Sequence, residues 1–311
     1  MLEFKNIELS DKEILEPYLR CNPYGNCDFS FANIYMWRIK YHTRYCLWGD
    51  FLILRGKGGV YLMPLRKEGS SAELRPVLEA MIADDIERGV VFCMASVTPL
   101  MREHLDAAIP GRFHFEEDRD SSDYLYAREK LVNLAGKKLH SKRNHINKFR
   151  ALYPDATFEP ITQENMQEVI DMHRQWCEVN DFMDHDDLME EGGNVRDVLS
   201  NYEALDVRGG LLRVGGRVVA FSVGQPINDQ VFDVIIEKAF YDVSGAYTVI
   251  NQQFAEHCTE GYAYLNREED LGIEGLRKAK TSYYPDILLD KGRALLKCDV
   301  EAGRQWVAHH E

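Results

Sequence analysis

No stretch of the 311-residue sequence approaches 18 consecutive apolar residues, and the opening MLEFKNIELSDKEI carries charge within its first five positions where a secretory leader would be apolar. A membrane span and a leader are therefore not expected, and the expected compartment is the cytoplasm. The seven cysteines (21, 27, 46, 93, 177, 258, 298) include no CxxC pair and are odd in number, which fits reduced thiols better than a disulfide framework or a structural zinc site. Positive charge is in deficit: 37 Lys and Arg against 51 Asp and Glu give a formal net charge of −14. That balance disfavours general nucleic-acid affinity, so an anion site has to be local. No Ser/His/Asp or Cys/His set can be assembled from neighbours in sequence, and no residue-level repeat is visible. MDHDDLMEE at 183–191, with His173 and His185, has the spacing of no standard zinc or calcium loop and reads as a solvated acidic loop. No metal is expected.

With 45% hydrophobic and 28% charged residues the composition is that of a globular protein, and the length suits two cores. The first half reads as a helix (DKEILEPYLR), an aromatic helical patch (FSFANIYMWRIKYH), strands YCLWG, FLILRG and GVYLMPL, and a helix (SSAELRPVLEAMIADDIERG) with Ser71 as its cap. Leu74, Leu78, Met81, Ile82 and Ile86 form the apolar stripe of that last helix. Strand VVFCMAS, helix TPLMREHLDAAIPG and strand DYLYA follow. The aromatic patch reads as core, with Asp28, Asn33 and Trp37 as its polar or amphipathic members.

The second half repeats this grammar: helix TQENMQEVIDMHRQWCEVN, a helix near NVRDVLSNYEAL, strands GGLLRVGG, RVVAFSVGQ and QVFDVIIEKA, helix GAYTVINQQFAEHC, strand YAYLN, helix IEGLRKAK and a strand around ALLKCD. Two helices, a three-strand antiparallel meander, then helix, strand, helix and strand is the order of an N-acyltransferase (GNAT-type) domain. The expected fold is α/β (α+β): two tandem GNAT-like (acyl-CoA N-acyltransferase) domains with mixed, largely antiparallel sheets flanked by helices. The expected boundaries are 1–128, a basic linker helix at 129–153, and 154–311.

Within that linker, Lys137, Lys138, Lys142, Arg143, Lys148 and Arg150 crowd together in an otherwise acidic chain. Leu131, Ala135, Leu139, Ile146 and Phe149 can share one helical face, leaving a cationic outer surface. It either pairs with the protein's own carboxylates or holds a phosphate backbone. In the second case Lys138, Lys142, Arg143 and Lys148 are the expected ionic contacts, with Asn144 and Asn147 as neutral donors. The phosphates of CoA are an alternative occupant.

NREEDLGIEGLRKAK follows a predicted strand directly, where α/β sheets place ligand sites. Asn266, Glu268, Glu269 and Asp270 crowd the strand end, with Arg277, Lys278 and Lys280 on the next helix. Repulsion among the carboxylates raises at least one pKa toward the range of a general base, unless Arg267, Arg277 or Lys280 neutralises them into a structural ion-pair cluster. Glu237 and Lys238, ending a neighbouring strand, can join this group. GNAT acetyltransferases cradle the CoA pyrophosphate on a glycine-rich turn after the fourth strand; KAFYDVSGAYTVINQQF holds only Gly245 there, which weakens acetyl-CoA as donor.

SDYLY, LAGKKLHSKRNHINKFR, IIEKAFYDVSGAYTVINQQFA and YLNREEDLGIEGLRKAKTSYYP, in that order along nearly the whole chain, resemble the phosphatidylglycerol lysyltransferase C-terminal-like family. The resemblance implies a doubled GNAT fold, related to enzymes that move amino acids from aminoacyl-tRNA onto lipids or peptidoglycan peptides. The membrane-embedded domain of the lipid-modifying members has no counterpart in this sequence, which weighs against a lipid acceptor. The expected activity is transfer of an activated carboxyl group to an amine or hydroxyl, with aminoacyl-tRNA or acyl-CoA as co-substrate, tRNA as a possible partner, and a small-molecule, peptide or lipid-headgroup acceptor. Glu269 or Asp270 would take the proton and Lys280 or backbone N–H groups would steady the oxyanion. The alternatives are a CoA-dependent N-acetyltransferase and a non-catalytic RNA- or anion-binding module on the same scaffold.

Overall fold

The structure, a computed structural model, describes residues 1–180 and 185–308, without the side chains of 185–190 and 306–308. The chain forms two compact units that interleave in sequence. The first comprises Met1–Asp123, Glu269–Arg277 and Leu288–Glu311, and the second Tyr124–Glu268 and Lys278–Ile287.

In the first unit, helices Lys12–Leu19 and Phe31–Trp37 precede an antiparallel meander of Arg44–Trp48, Phe51–Arg55 and Leu65–Arg66, flanked by the short strand Lys5–Asn6. Helix Leu74–Arg88 leads to strand Cys93–Met94, whose Met94 bridges Tyr61 in parallel. Helix Pro99–Ala108 then precedes the long strand Phe113–Ala127. Cys93–Met94 gains its other neighbour from the far end of the chain, Ala294 and Leu295 of strand Ile287–Leu296. Helix Leu74–Arg88 is entered at Glu73 and not at Ser71, and Ile86 is 70% exposed, because the buried stripe Val77, Leu78, Met81 and Ile82 turns that position outward. The aromatic patch is core: Phe29, Phe31, Ile34 and Tyr35 are buried, and Ser30 caps its helix by accepting from the Asn33 N–H.

The second unit contains strand Thr157–Pro160, helices Met166–Asn180, His185–Ser200 and Tyr202–Leu205, and the antiparallel strands Arg208–Val214, Arg217–Pro226 and Val231–Ala239. Gly215 and Gly216, both at positive φ, form the two-residue turn that a right-twisted hairpin requires. Arg217–Pro226 is buried on both faces, as a central strand covered by helices must be. Helix Ala246–His257 then carries the chain to strand Tyr264–Asn266, parallel to Val231–Ala239 and antiparallel to Leu125–Ala127. Both units thus share the order helix, helix, meander, helix, parallel strand, which is the GNAT-type arrangement, with mixed sheets flanked by helices.

Of the acidic stretch at 183–191, residues 183 and 184 and the side chains of 185–190 lie outside the described residues, and the backbone from His185 is helical where a loop is expected from the sequence. The basic segment is not one helix from Leu131 to Phe149. Arg128–Asn133 and His140–Leu152 are separate, divided at Leu134 and Gly136, both at positive φ. Leu131, Leu139, Ile146 and Phe149 are buried as expected, while Ala135 is exposed at the break. Among the described residues no helix is long and apolar enough to cross a membrane.

Candidate functional site

The parallel strands of the second unit are in register from Val231–Tyr264 to Asp233–Asn266, where the shorter one stops. Past that point Glu237 on the longer strand and Arg267, the residue after the shorter one, turn toward each other. Nη2 of Arg267 lies 2.7 Å from Oε1 of Glu237, and both side chains are 13% exposed. From helix Ala246–His257, Asn251 Nδ2 donates to Oε2 of Glu237 at 3.0 Å. Nη1 of Arg267 is buried with no hydrogen-bond partner. Its guanidinium lies 5.2 Å from the Tyr283 ring and 5.8 Å from the Tyr126 ring.

Lys142 enters from helix His140–Leu152, donating to Ser282 Oγ at 2.7 Å with its ammonium 3.8 Å from the Tyr283 ring centre. Burial and, secondarily, the charge of Arg267 lower its pKa to about 8, opposed by Glu237. Burial raises the Tyr283 phenol to about 12 and pushes that of Tyr126 up as well. Lys280 donates to the Arg267 carbonyl at 2.6 Å, and Tyr126 donates to the Lys280 carbonyl at 2.7 Å. Two cations, Arg267 in direct contact and Lys142 through its charge, therefore share a single carboxylate, Lys280 holds the Arg267 carbonyl, and Nη1 of the guanidinium is left without an acceptor. Such a site favours an anionic or strongly polar group.

The remaining residues of the second unit divide by exposure. Asn144, Asn147, Lys148, Lys137, Lys138 and Arg150 are exposed along or just before helix His140–Leu152, and Lys138 lies 5.2 Å from the Tyr284 ring. Arg143 instead donates to the carbonyls of Leu134 and Gly136 (2.8 Å for the latter), closing the break between the helices. Lys238, alternating with Glu237 along its strand, points the other way, to Glu191 at 2.6 Å and the Trp176 ring at 4.1 Å. Asn266 is fully buried and shapes the turn by accepting the Glu268 N–H at 2.8 Å. Gly245 caps helix Ala246–His257 at φ 93°, and a Cβ there would lie 3.0 Å from the His145 carbonyl oxygen and 3.1 Å from Phe149 Cβ. The glycine is required because helix His140–Leu152 lies against this turn. His173 is buried, its Nε2 3.1 Å from the Gly192 carbonyl oxygen.

Glu269, Asp270 and Arg277 belong to the first unit. Asp270 has no exposed surface and meets Arg277 in two contacts (2.9 Å to Nε, 2.7 Å to Nη2), with Arg119 at 3.4 Å and the Gly272 N–H at 2.9 Å. Glu269 faces Lys291, whose buried ammonium sits 2.8 Å from Asp123, 3.1 Å from Asp28, and 3.6 Å from both Glu269 and Cys27 Sγ. Burial raises the Glu269 pKa, with Asp123 and Asp28 adding to the rise and Lys291 opposing it; the Cys27 thiol is pushed up by the same burial. Lys291 binding lowers Asp28 against its burial, with help from Ser96 and Asn26. Ligand atoms of Cys27, Asp123 and Glu269 lie close enough together to hold a metal ion, but the ammonium of Lys291 already fills that position as counter-charge.

The repeated helix–meander–helix–strand order is that of the GNAT acyltransferases. The chain belongs to the phosphatidylglycerol lysyltransferase C-terminal family, which it matches over residues 22–291. It is 43% identical to a conserved protein of unknown function from Bacteroides thetaiotaomicron, superposing with a TM-score of 0.89 over 96% of this chain and 100% of that one. It shares the fold of the C-terminal domain of a putative lysylphosphatidylglycerol synthetase from Agrobacterium fabrum, at 13% identity, with a TM-score of 0.59 over 86% and 87% of the two chains. An uncharacterised protein of Mycoplasmoides gallisepticum is 24% identical over 174 residues, so the match spans 55% of this chain and about half, 55%, of that relative.

Proposed function

We propose that the protein transfers an activated carboxyl group from aminoacyl-tRNA, in preference to acyl-CoA, onto an amine or hydroxyl acceptor. The observation that carries this reading is the crowded Gly245 turn: it is the one glycine of the turn, even a Cβ there would lie 3.0 Å from the His145 carbonyl oxygen, and the Ala246 N–H that a pyrophosphate would use is already bonded to the Val243 carbonyl. The same helix that closes the turn exposes Lys148, Asn144, Asn147 and Arg150, and Lys137 and Lys138 precede it. Such a row suits a phosphate backbone held without sequence readout.

In this reading Arg267 and Lys142 supply donors to the acyl carbonyl as it becomes an oxyanion, Glu237 holds the Arg267 guanidinium in place, and Lys280 supports the turn that bears it. The acceptor's bond to the acyl carbon forms as the bond to the tRNA ribose oxygen breaks, and the proton lost by the nucleophile ends on the leaving ribose hydroxyl. In the first unit Glu269, partly exposed and with a raised pKa, is the carboxyl group of its block fitted to take up a proton, whereas Asp270 is committed to Arg277. The acceptor is an amine or hydroxyl of a small molecule, a peptide or a lipid headgroup.

The test is direct competition on the full-length protein, with tRNA binding followed by fluorescence anisotropy and CoA binding by calorimetry. tRNA should bind with a log–log salt slope of roughly −3 to −4, reduced in a Lys138→Gln/Lys148→Gln variant, and CoA should bind more weakly than about 100 μM. Tight CoA binding without tRNA binding would replace this reading with a CoA-dependent N-acetyltransferase. tRNA binding without transfer from any aminoacyl-tRNA would leave a binding module.

A further inference from the structure

A second cationic site lies in the first unit, with no residue of the NREEDLG block in its lining. A cleft of about 510 Å³ is lined by Phe4, His42, Arg44, Arg88 and the glycine-rich loop from Arg55 to Gly59. The loop Gly56-Lys57-Gly58-Gly59 leaves strand Phe51–Arg55 and turns with Gly58 and Gly59 at positive φ.

Within the hairpin, Arg44 stands directly opposite Arg55, so the two guanidinium side chains share one face of the sheet. Like charges facing each other across a strand pair destabilise it, and a purely structural position would carry an opposite charge or a neutral residue. The buried acids beneath account for only part of the positive charge. Arg55 pairs with Asp85 at 2.7 Å and Arg88 with Asp84 at 2.7 Å. Arg44 and Lys57, both exposed, reach no carboxylate among the described residues. Arg55 itself is 13% exposed and rigidly aimed, bonded to the Gly59 carbonyl at 3.2 Å and lying 5.1 Å from the Tyr61 ring and 5.5 Å from Phe4. A Cβ on Gly59 would come within 2.8 Å of that guanidinium, so the bare loop is what allows it to lie there.

Four cations, two of them uncompensated, line a concave site of the size that takes a metabolite, in a protein whose net charge is −14. We infer that this cleft binds the phosphate end of a small phosphorylated molecule, with Arg44 and Lys57 as its ionic contacts and Arg55 as a fixed guanidinium at its floor. Arginine forks and a lysine point charge around a glycine turn are the groups that recognise a phosphate dianion. Phe4 offers an apolar wall to whatever the phosphate is attached to.

The test is calorimetric titration of the full-length protein with inorganic pyrophosphate at low and moderate salt. Saturable binding below about 1 mM is expected, weakening at least tenfold in Arg44→Gln/Lys57→Gln. Both positions are exposed and Arg44 faces Arg55, so that variant should melt no lower than the parent. Arg75→Gln, which removes an exposed cation elsewhere in the same unit, should leave binding unchanged. Absence of saturable binding, or equal affinity in parent and double variant, would overturn the assignment. Loss of binding in Lys138→Gln/Lys148→Gln but not in Arg44→Gln/Lys57→Gln would overturn it too, by moving the anion to the second unit.

Discussion

Replacing Glu237 by Gln and, separately, Arg267 by Met should move the ionisation of Lys142 in opposite directions. Lys142 titrates near 8 because burial and Arg267 lower it while Glu237 raises it. Neutralising Glu237 removes the opposing charge, and a nearby charge in a half-buried setting is worth about one pKa unit, so the amine should titrate near roughly 7 in Glu237→Gln. In Arg267→Met the repulsion disappears and the value should rise to roughly 9. Glu237→Gln also leaves a guanidinium that is only 13% exposed without its counter-ion, at a cost of about 3 kcal/mol and roughly 6–10 °C in melting temperature. The assay is the pH dependence of Lys142 acylation by a labelled amine-reactive reagent, read by peptide mass spectrometry at a temperature where all variants are folded. Shifts of the same sign, or none in either variant, would refute the electrostatic description of this site.

The same ionisation fixes a stability trade. A lysine whose folded pKa lies below its unfolded value costs stability at neutral pH, and the cost fades as pH rises from about 8 toward 10.5. Lys142→Met should therefore be about 1 kcal/mol more stable than the parent at pH 7 after allowance for solvent screening, equal to it above pH 10.5, and impaired in transfer. Asp270→Asn should lower the melting temperature by removing the buried carboxylate that Arg277 and Arg119 share, Arg277 keeping Asp120, while leaving the rate per folded molecule unchanged, measured by single turnover beside thermal melting. Glu269→Gln should lower single-turnover transfer by roughly 10²–10⁴ with donor affinity unchanged. Because the raised Glu269 pKa contributes stability at low pH that is lost as pH rises, the same variant should melt no lower than the parent at pH 7.

Much of the second unit could be read from periodicity, because its central strands are apolar throughout and its hairpin turns on Gly215-Gly216. Phe113–Ala127 was legible only at its end, DYLYA, since the stretch before it, EEDRDS, is polar and partly exposed and carries no strand alternation. The cluster of Cys27, Asp28, Asp123, Glu269 and Lys291 was invisible for a different reason: its members come from four distant segments, and charge attraction leaves no trace in spacing. Glu237 was suspected as a neighbour of the 266–270 block, and it pairs with Arg267, the residue expected only to neutralise that block. Lys142 was expected to face outward with the other cations. Its position at i+3 from Leu139 and i−4 from Ile146 puts it on the buried stripe, and that spacing was the available signal.

Each unit is completed by chain from the opposite half of the sequence, and this bears on how the protein is made. Met94 waits for Ala294 as its strand partner, and the short Tyr264–Asn266 strand pairs with Leu125–Ala127, made long before it. A ribosome that has released only the first half presents Cys93–Met94 with an open sheet edge, a template for pairing with another nascent chain. Native structure in either unit therefore waits for nearly the full length of synthesis. Cutting the chain at its midpoint should yield two insoluble pieces that recover solubility only when expressed together.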